Sequence, residues 1–333
     1  MKIMKILVTG GLGFIGSNFI LKLLERDDIE IINIDAELYG SNQRNLSQIY
    51  NSDKYNFVKG NISNKKFMEE QIEKCDAVVN FAAESHVDRS INDANPFLVS
   101  NIRGAFTILD IITKQKKRMV QISTDEVFGS LLDGTADEQS KFNPSSPYAA
   151  TKASAELLIN SYSITYDSDV IITRCTNNYG PRQFVEKLIP KTIILANKDL
   201  KIPIYGQGKN IRDWIFVDDH CSAVEMALFN GKSGESYNIS ADNETDNLTI
   251  VKKILKIMDK SEDLIGFVED RPGHDFRYSM TSKKISNELD WKINTSFDKG
   301  LEKTIEWYLN NPEILNDISQ TVLDPTPWKN NKE

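Results

Sequence analysis

Lys5-Ile6-Leu7-Val8-Thr9-Gly10-Gly11-Leu12-Gly13-Phe14-Ile15-Gly16 is the stretch on which the fold turns. Residues 5–9 form a short apolar run that stops at glycine, which predicts a buried strand. Over residues 14–25, Ile15, Phe19, Ile20, Leu23 and Leu24 recur at helical spacing. Gly10, Gly13 and Gly16, spaced GxxGxxG, occupy the turn between them. Glycine permits the tight turn and lets the backbone approach a pyrophosphate, whose charge then meets the helix N-terminus. Asp35 ends the next apolar run, residues 30–35. A carboxylate there can accept from both ribose hydroxyls and repels a 2′-phosphate, so the pattern predicts NAD rather than NADP. Glycines serving only the turn would leave the same letters. The strand before, the helix after and the acid at the second strand's end argue against that reading.

Outward from this start, strand and helix patterns keep alternating. Strands are expected at 55–59, 76–82, 118–123 and 169–174, with helices at 65–74, 97–114 and 148–162. Such alternation means a parallel sheet covered on both faces, and right-handed crossovers leave a doubly wound, Rossmann-type α/β topology. After Tyr179 the pattern changes: helices at 185–197, 219–230, 249–259 and 297–310, strands at 202–205, 211–217 and 236–239. The expected organisation is an NAD-binding domain over residues 1–180 and a smaller C-terminal α/β substrate domain over 181–333. Segments near 206–240 are expected to return to the first domain.

The bulk numbers fit this class. A chain of 333 residues suits a large domain with a smaller companion. A net charge of -8 argues against a nucleic-acid or membrane-surface role, so an anionic substrate would need a local basic patch. The three cysteines, Cys75, Cys175 and Cys221, form no CxxC pair, and an odd count excludes a full disulfide framework. Reduced thiols and a cytoplasmic location are expected. His86, His220 and His274 show no metal-ligand spacing, so no metal is expected. The apolar run before Gly10 is too short for a signal peptide, and no stretch reaches membrane-spanning length.

Ser146-Pro147-Tyr148-Ala149-Ala150-Thr151-Lys152 opens a helix: Ser146 suits the N-cap and Pro147 the first helical position. Tyr148 and Lys152 are i and i+4 and share one face. A tyrosine serves as base only if its pKa, about 10 in model peptides, falls by about two or three units, or about 3–4 kcal/mol. A cation about 4 Å away at an effective dielectric near 20 supplies about 4 kcal/mol, so Lys152 is sufficient in magnitude. The fifth strand ends in Ser123-Thr124-Asp125-Glu126. Ligands of open parallel sheets bind beyond the carboxyl ends of strands, where two carboxyls are costly to keep without purpose. A solvated acidic loop or a capping Asp is the bland alternative.

Longer motifs carry a resemblance. The glycine loop, Tyr148/Lys152 and the alternating pattern resemble the extended short-chain dehydrogenase/reductase family. Asn80-Phe81-Ala82-Ala83-Glu84-Ser85-His86-Val87-Asp88-Arg89-Ser90, Ser123-Thr124-Asp125-Glu126-Val127-Phe128-Gly129 and Arg174-Cys175-Thr176-Asn177-Asn178-Tyr179-Gly180-Pro181-Arg182-Gln183 resemble its dTDP-glucose 4,6-dehydratases. So do Asn210-Ile211-Arg212-Asp213-Trp214 and Asp270-Arg271-Pro272-Gly273-His274, and together the matches run from about residue 5 to 291. The resemblance implies that Tyr148 takes the C4 hydroxyl proton while C4 gives a hydride to NAD, with Thr124 holding the same hydroxyl. It implies Glu126 as base at C5, Asp125 as acid for the departing C6 oxygen, and hydride return to C6. Thr-Asp-Glu points to elimination; related decarboxylases carry Thr-Ser-Glu there.

The same resemblance places Phe14, Ile15, Asn61, Ile62, Ala82, Ala83, Ser100 and Asn178 at the cofactor, beside Gly10, Gly13, Gly16, Asp35, Tyr148 and Lys152. It places Ser85, Thr124 and Asn177 at the sugar. Lys187, Arg212 and Arg271 are candidates for the diphosphate, with His274 helping; arginine's planar fork suits a phosphate. Leu188, Pro203, Ile204, Tyr205 and Asn243 match the nucleotide pocket. Asn61-Ile62 stands where the family usually has Asp-Ile reading the adenine amino group; an amide oxygen could still accept that bond. Ala36-Glu37-Leu38 departs from the usual Lys-Leu-Thr, and Phe128 replaces a common Tyr. A homodimer through helices 97–114 and 148–162 is implied. Two readings stay open: the same reaction on UDP-glucose, since one methyl on the base is worth only about 1–3 kcal/mol, and a non-catalytic NAD-binding regulator, which could lose Tyr148, Lys152 or the acid pair without harm.

Overall fold

The computed structural model describes residues 3–316. Seven parallel strands form the central sheet in the order β10-β6-β5-β4-β1-β2-β3. They are β1 (Met4–Thr9), β2 (Ile29–Asp35), β3 (Tyr55–Lys59), β4 (Ala77–Asn80), β5 (Arg118–Thr124), β6 (Val170–Cys175) and, far along the chain, β10 (Ser236–Ile239). β1, β2, β5 and β6 read as near-continuous apolar runs because both faces are covered. One face packs on the helices Phe14–Leu23 and Val217–Asn230, the other on Lys65–Ile72, Ala105–Gln115 and Pro147–Tyr166. The strand order reverses between β1 and β4, so the glycine loop after β1 and the Ala82–Ala83 segment after β4 share one crevice at the carboxyl edge.

A buried polar ladder braces that edge. Thr9 Oγ1 donates to Asn80 Oδ1 at 2.5 Å, and Asn80 Nδ2 donates to Gln121 Oε1 at 2.8 Å. These residues stand side by side on β1, β4 and β5.

β7 (Asn177–Tyr179), β9 (Ile211–Phe216) and β11 (Glu244–Asp246) form a second small sheet, and β8 (Ile202–Tyr205) pairs with β12 (Ile265–Val268). They enclose a separate core of Tyr179, Ile189, Trp214, Ile250, Leu301 and Tyr308. The helix Val217–Asn230 and β10 lie with the seven-stranded sheet, whereas β9 does not, so the return to that sheet starts at 217 rather than near 206. Among the described residues, no helix is long and apolar enough to cross a membrane.

Several elements differ from the sequence pattern. The long helix expected at 97–114 is interrupted: Leu98–Gly104 is a wide π-helical turn, with Ala105–Gln115 α-helical beyond it. π turns recur at functional sites, and here Val99 and Ser100 face a cavity. The helix Val87–Asn92 and the strands β7, β11 and β12 were hidden because three- to six-residue segments carry too few periods to read. Ser146 does cap its helix, accepting from Ala149 N at 3.1 Å, with Pro147 in the first turn.

One buried carboxylate joins the two parts. Asp219, on the sheet-side helix, accepts from Asn294 N and Thr295 N, each at 3.0 Å, and its carbonyl accepts from Trp291 Nε1 at 3.2 Å. Asp219→Ala strands both amides and is expected to cost about 2 kcal/mol, read as a lower urea midpoint with an unchanged slope.

Candidate active site

The crevice opens into a cavity of about 520 Å³ that runs from Asp35, Asn61 and Ile62 to Glu126, Tyr148 and Lys152. Its floor is the glycine loop. Gly10 has φ +69°, and a Cβ there would lie 2.7 Å from Ala82 N. At Gly16 a Cβ would lie 2.4 Å from Gly10 O, whereas at Gly13 it meets only Gly10 O at 3.2 Å. Gly10 and Gly16 are thus needed for packing, and Gly13 keeps the loop low beneath the cavity. The helix Phe14–Leu23 starts with no side-chain cap and no acid in its first turn. Its uncapped N-terminus suits a pyrophosphate, so the residues present fit a dinucleotide.

Every cofactor candidate lines this cavity, including Phe14, Ile15, Ala82, Ala83, Ser100 and Asn178. Two details at the adenosine end correct the sequence reading. Asp35 accepts from Leu12 N at 3.0 Å, Glu37 N at 2.8 Å and Ser41 Oγ at 2.7 Å. A carboxylate offers about four acceptor positions, so one remains for a ribose hydroxyl rather than the two expected. Asn61 Oδ1 is also engaged, accepting from Ser63 N at 2.9 Å and Ser63 Oγ at 2.8 Å. The group it has left is the amide N–H, a donor and not the expected acceptor.

At the other end, the β5 terminus and the helix Pro147–Tyr166 bring Thr124, Asp125, Glu126, Tyr148 and Lys152 to one wall. Asp125 Oδ1 accepts from Thr124 Oγ1 at 3.1 Å, while Oδ2 is buried without a hydrogen-bond partner. Burial, then the neighbouring Glu126, pushes Asp125 up to about 8. Burial also raises Glu126, against Arg271, Arg212 and Lys187, which favour its charged form. Asp125 has one such cation, Arg212, and two like charges against it. The surroundings therefore separate the pair: Asp125 is the proton holder and Glu126 the better carboxylate.

Tyr148 and Lys152 are both buried, and burial moves each towards its neutral form. Lys152 Nζ donates to the Ile122 carbonyl at 2.6 Å, and burial pulls it down to about 8. Tyr148 is held well above 10, first by burial and then by Glu126; its hydrogen bond with Thr124 works the other way. Desolvation is the leading influence on the phenol and favours its neutral form.

Ser85, Asn177 and Lys187 line the cavity, Lys187 Nζ donating to the Ser85 carbonyl at 3.3 Å. The remaining substrate candidates lie outside its lining. Arg212 is 5 % exposed, and its guanidinium donates to the carbonyls of Ile211, Phe276 and Asp275 at 2.7, 3.2 and 2.8 Å. It stacks over Tyr278 at 4.2 Å. Three of the five guanidinium N–H donors of Arg212 thus lie on backbone oxygens, and its charge acts on the acid pair. Arg271 fits the phosphate role: Nη1 pairs with Asp88 at 2.7 Å, and Nε is buried and unpartnered. His274 Nδ1 lies 2.6 Å from Asp270 Oδ1, and burial pulls the ring down to about 4. Tyr205 OH donates to Asp88 at 3.4 Å, and its ring centroid is 6.2 Å from that of His274. Leu188 opens the helix Leu188–Asn197, Pro203 and Ile204 lie on β8, and Asn243 N donates to Asp213 at 2.7 Å. Asn243 Nδ2 is buried and unpartnered.

Sequence reasoning missed several neighbours. Tyr278 OH donates to Asp275 Oδ2 at 2.6 Å and reaches Glu126 Oε2 at 3.5 Å. Both follow directly after the Asp270–His274 motif, and reading it four residues further would have included them. His86, Glu84 and Glu186 line the cavity, and Tyr39 OH donates to Glu186 at 2.5 Å across its mouth. Arg89 stacks on Tyr39 at 3.8 Å.

Comparison with known proteins adds an independent line. The family model described as GDP-mannose 4,6 dehydratase matches residues 7–304. The low-salt glycan biosynthesis protein Agl12 of Haloferax volcanii is 45% identical over 311 residues, covering 93% of this chain and 100% of that protein. A crystal structure of dTDP-glucose 4,6-dehydratase from Bacillus anthracis in complex with NAD superposes with a TM-score of 0.88 at 43% identity, covering 93% of this chain and 98% of the other. The dTDP-glucose 4,6-dehydratase DesIV from Streptomyces venezuelae, also with NAD bound, gives 0.91 at 40% identity over the same shares.

The buried acid has a thermodynamic consequence. Asp125 has a folded pKa raised from 3.8 to about 8, so its contribution to stability is full below about 4 and is lost as pH rises towards 8. Asp125→Asn removes that loss. Thermal denaturation of the ligand-free protein is expected to find the variant close to wild type near pH 4 and increasingly more stable towards pH 8.

Proposed function

The chain belongs to the GDP-mannose 4,6 dehydratase family, and we propose that it is a hydro-lyase converting dTDP-glucose to dTDP-4-keto-6-deoxyglucose, with NAD regenerated. The observation that carries the reading is the buried Asp125–Glu126 pair at the end of β5, whose surroundings divide the two carboxyls into an acid and a base.

NAD, when bound along the cavity, supplies an acceptor for the C4 hydride and a donor for C6. The chain's own residues do the rest. Thr124 and Tyr148 hold the C4 hydroxyl, and Tyr148, once its own proton has left to solvent, takes the hydroxyl's proton as a phenolate. Burial opposes forming that phenolate; the Thr124 hydrogen bond and the Lys152 ammonium one turn along the helix favour it. The C4 ketone acidifies the C5 proton, and Glu126 removes it; burial raises this carboxyl, while Arg271, Arg212 and Lys187 favour its charged form. Asp125, neutral at pH 7 and with Oδ2 free of partners, protonates the departing C6 oxygen, so that water leaves. Arg271, with Lys187 nearer the sugar, meets the diphosphate, while Tyr205 and Pro203 pack by the base. The activity belongs to deoxysugar biosynthesis.

The reading includes a homodimer. The helices Ala105–Gln115 and Pro147–Tyr166 pack side by side and leave Phe106, Leu157, Ile164 and Tyr166 exposed, Ile164 at 87 %. An apolar face of this kind suits a second copy and a four-helix bundle. It also includes a cytoplasmic location, supported by three buried, unpaired cysteines.

Purified protein incubated with NAD and either dTDP-glucose or UDP-glucose is expected to remove one water from the thymidine sugar by mass spectrometry, without net NADH. Asp125→Ala should lower that rate by about 10²–10⁴-fold. No water loss from either sugar would overturn the dehydratase reading. Light scattering is expected to give twice the mass of the chain; a monomer would overturn the dimer.

A further inference from the structure

Beneath the acid pair lies a charged pair that the chemistry above does not use. Glu156 is fully buried and Arg174 is 2 % exposed. Arg174 Nε and Nη2 donate to Glu156 Oε2 at 2.9 and 2.7 Å. At this depth the desolvation of two charges offsets most of their attraction, and apolar residues of similar volume often replace such a pair without loss of stability. Stability alone is therefore a poor reason for it.

Its contacts run to the site from three sides. Ser123 Oγ donates to Glu156 Oε1 at 2.5 Å, and Ser123 immediately precedes Thr124, Asp125 and Glu126. Ser123 and Arg174 are also direct neighbours across β5 and β6. The Arg174 guanidinium lies 5.2 Å from the ring centroid of Phe128, which ends the turn Asp125–Phe128. Glu156 stands four residues beyond Lys152 on the same helix, on the same face.

We propose that Glu156, clamped by Arg174, is a positioning residue for the dehydration: it fixes Ser123, and with it the strand end that aims Thr124, Asp125 and Glu126, and its negative charge keeps Lys152 an ammonium. The inference rests on the dehydratase reading. Around Lys152 stand the Ile122 carbonyl of β5, Cys175 of β6, and Tyr148 and Glu156 of its own helix, Glu156 being the partner of Arg174. Burial drives Lys152 towards the neutral amine, and among these groups Glu156 is the leading charge that resists. Removing that charge takes away the leading support of the ammonium, and burial then pulls Lys152 further down. The high-pH limb of turnover, where Lys152 loses its proton, must then move to lower pH.

The experiment compares kcat, KM and the kcat pH profile of wild type, Glu156→Gln, Glu156→Asp and Ser123→Ala on dTDP-glucose, with circular dichroism checking each fold. Glu156→Gln keeps an acceptor for Ser123 but no charge, and its basic limb is expected about one unit lower. Glu156→Asp keeps the charge and should hold the limb where wild type has it. Ser123→Ala keeps the charge and loses the aim: the limb stays, KM stays, and kcat falls by about tenfold, with reduced nicotinamide accumulating because elimination lags behind oxidation. A folded Glu156→Gln with the wild-type limb, or Ser123→Ala with wild-type kcat, would overturn the proposal. If Glu156→Gln does not fold, Ser123→Ala decides alone. A wild-type protein without turnover would remove the dehydratase reading and this inference with it, whereas unaffected variants of an active enzyme remove only the inference.

Discussion

The nearest approach of two backbones in the crevice governs what the molecule can do there. Gly10 lies so close to the Phe81–Ala82 peptide that a single methyl group would stand 2.7 Å from a backbone nitrogen. Because strand order reverses between β1 and β4, their connections leave in opposite directions and a gap opens above this contact. The uncapped N-terminus of the helix Phe14–Leu23 faces that gap, and the polar ladder Thr9–Asn80–Gln121 keeps the three strand ends level. A side chain at Gly10 would push β1 from β4 and move the ladder, the loop and the β5 terminus together.

On this frame, desolvation is the dominant electrostatic effect. It raises Asp125, Glu126 and Tyr148 and lowers Lys152, His86 and His274. Burial alone would treat Asp125 and Glu126 alike. The asymmetry comes from the C-terminal part of the chain, which brings Arg212 and Arg271 to the acid pair. Arg212 does so while donating to the backbone carbonyls of Ile211, Phe276 and Asp275, which fix its guanidinium in place. The carboxyls are thus carried by the large sheet, and much of their division of labour depends on the smaller part.

Several features were legible from sequence because they obey short-range rules. The glycine spacing, the Asp35 strand end, the Ser146–Pro147 helix start and the Tyr148–Lys152 pair all lie within one or two turns of chain, where spacing determines geometry. The alternation of strands and helices likewise follows from periodicity, and all seven strands in the main sheet were read within a few residues of their bounds. The comparison with relatives and solved structures agrees with that fold and with the chemistry that the longer motifs suggested.

What the sequence by itself determined is the parallel sheet, the dinucleotide loop and the identity of the groups at the β5 end. Only the tertiary structure decided their states. Asp35 and Asn61 carry the expected residue types for an adenosine end, yet neighbours already occupy most of their acceptor positions. Lys152 shares a face with Tyr148 as the spacing requires, yet its ammonium donates to the Ile122 carbonyl. Tyr278 reaches Glu126 from a segment some 150 residues away, with Asp275 accepting from its hydroxyl. Spacing along the chain fixes which side chains can meet; how far each is stripped of water, and which charge faces it from another element, depends on packing between distant segments, and that alone sets their protonation.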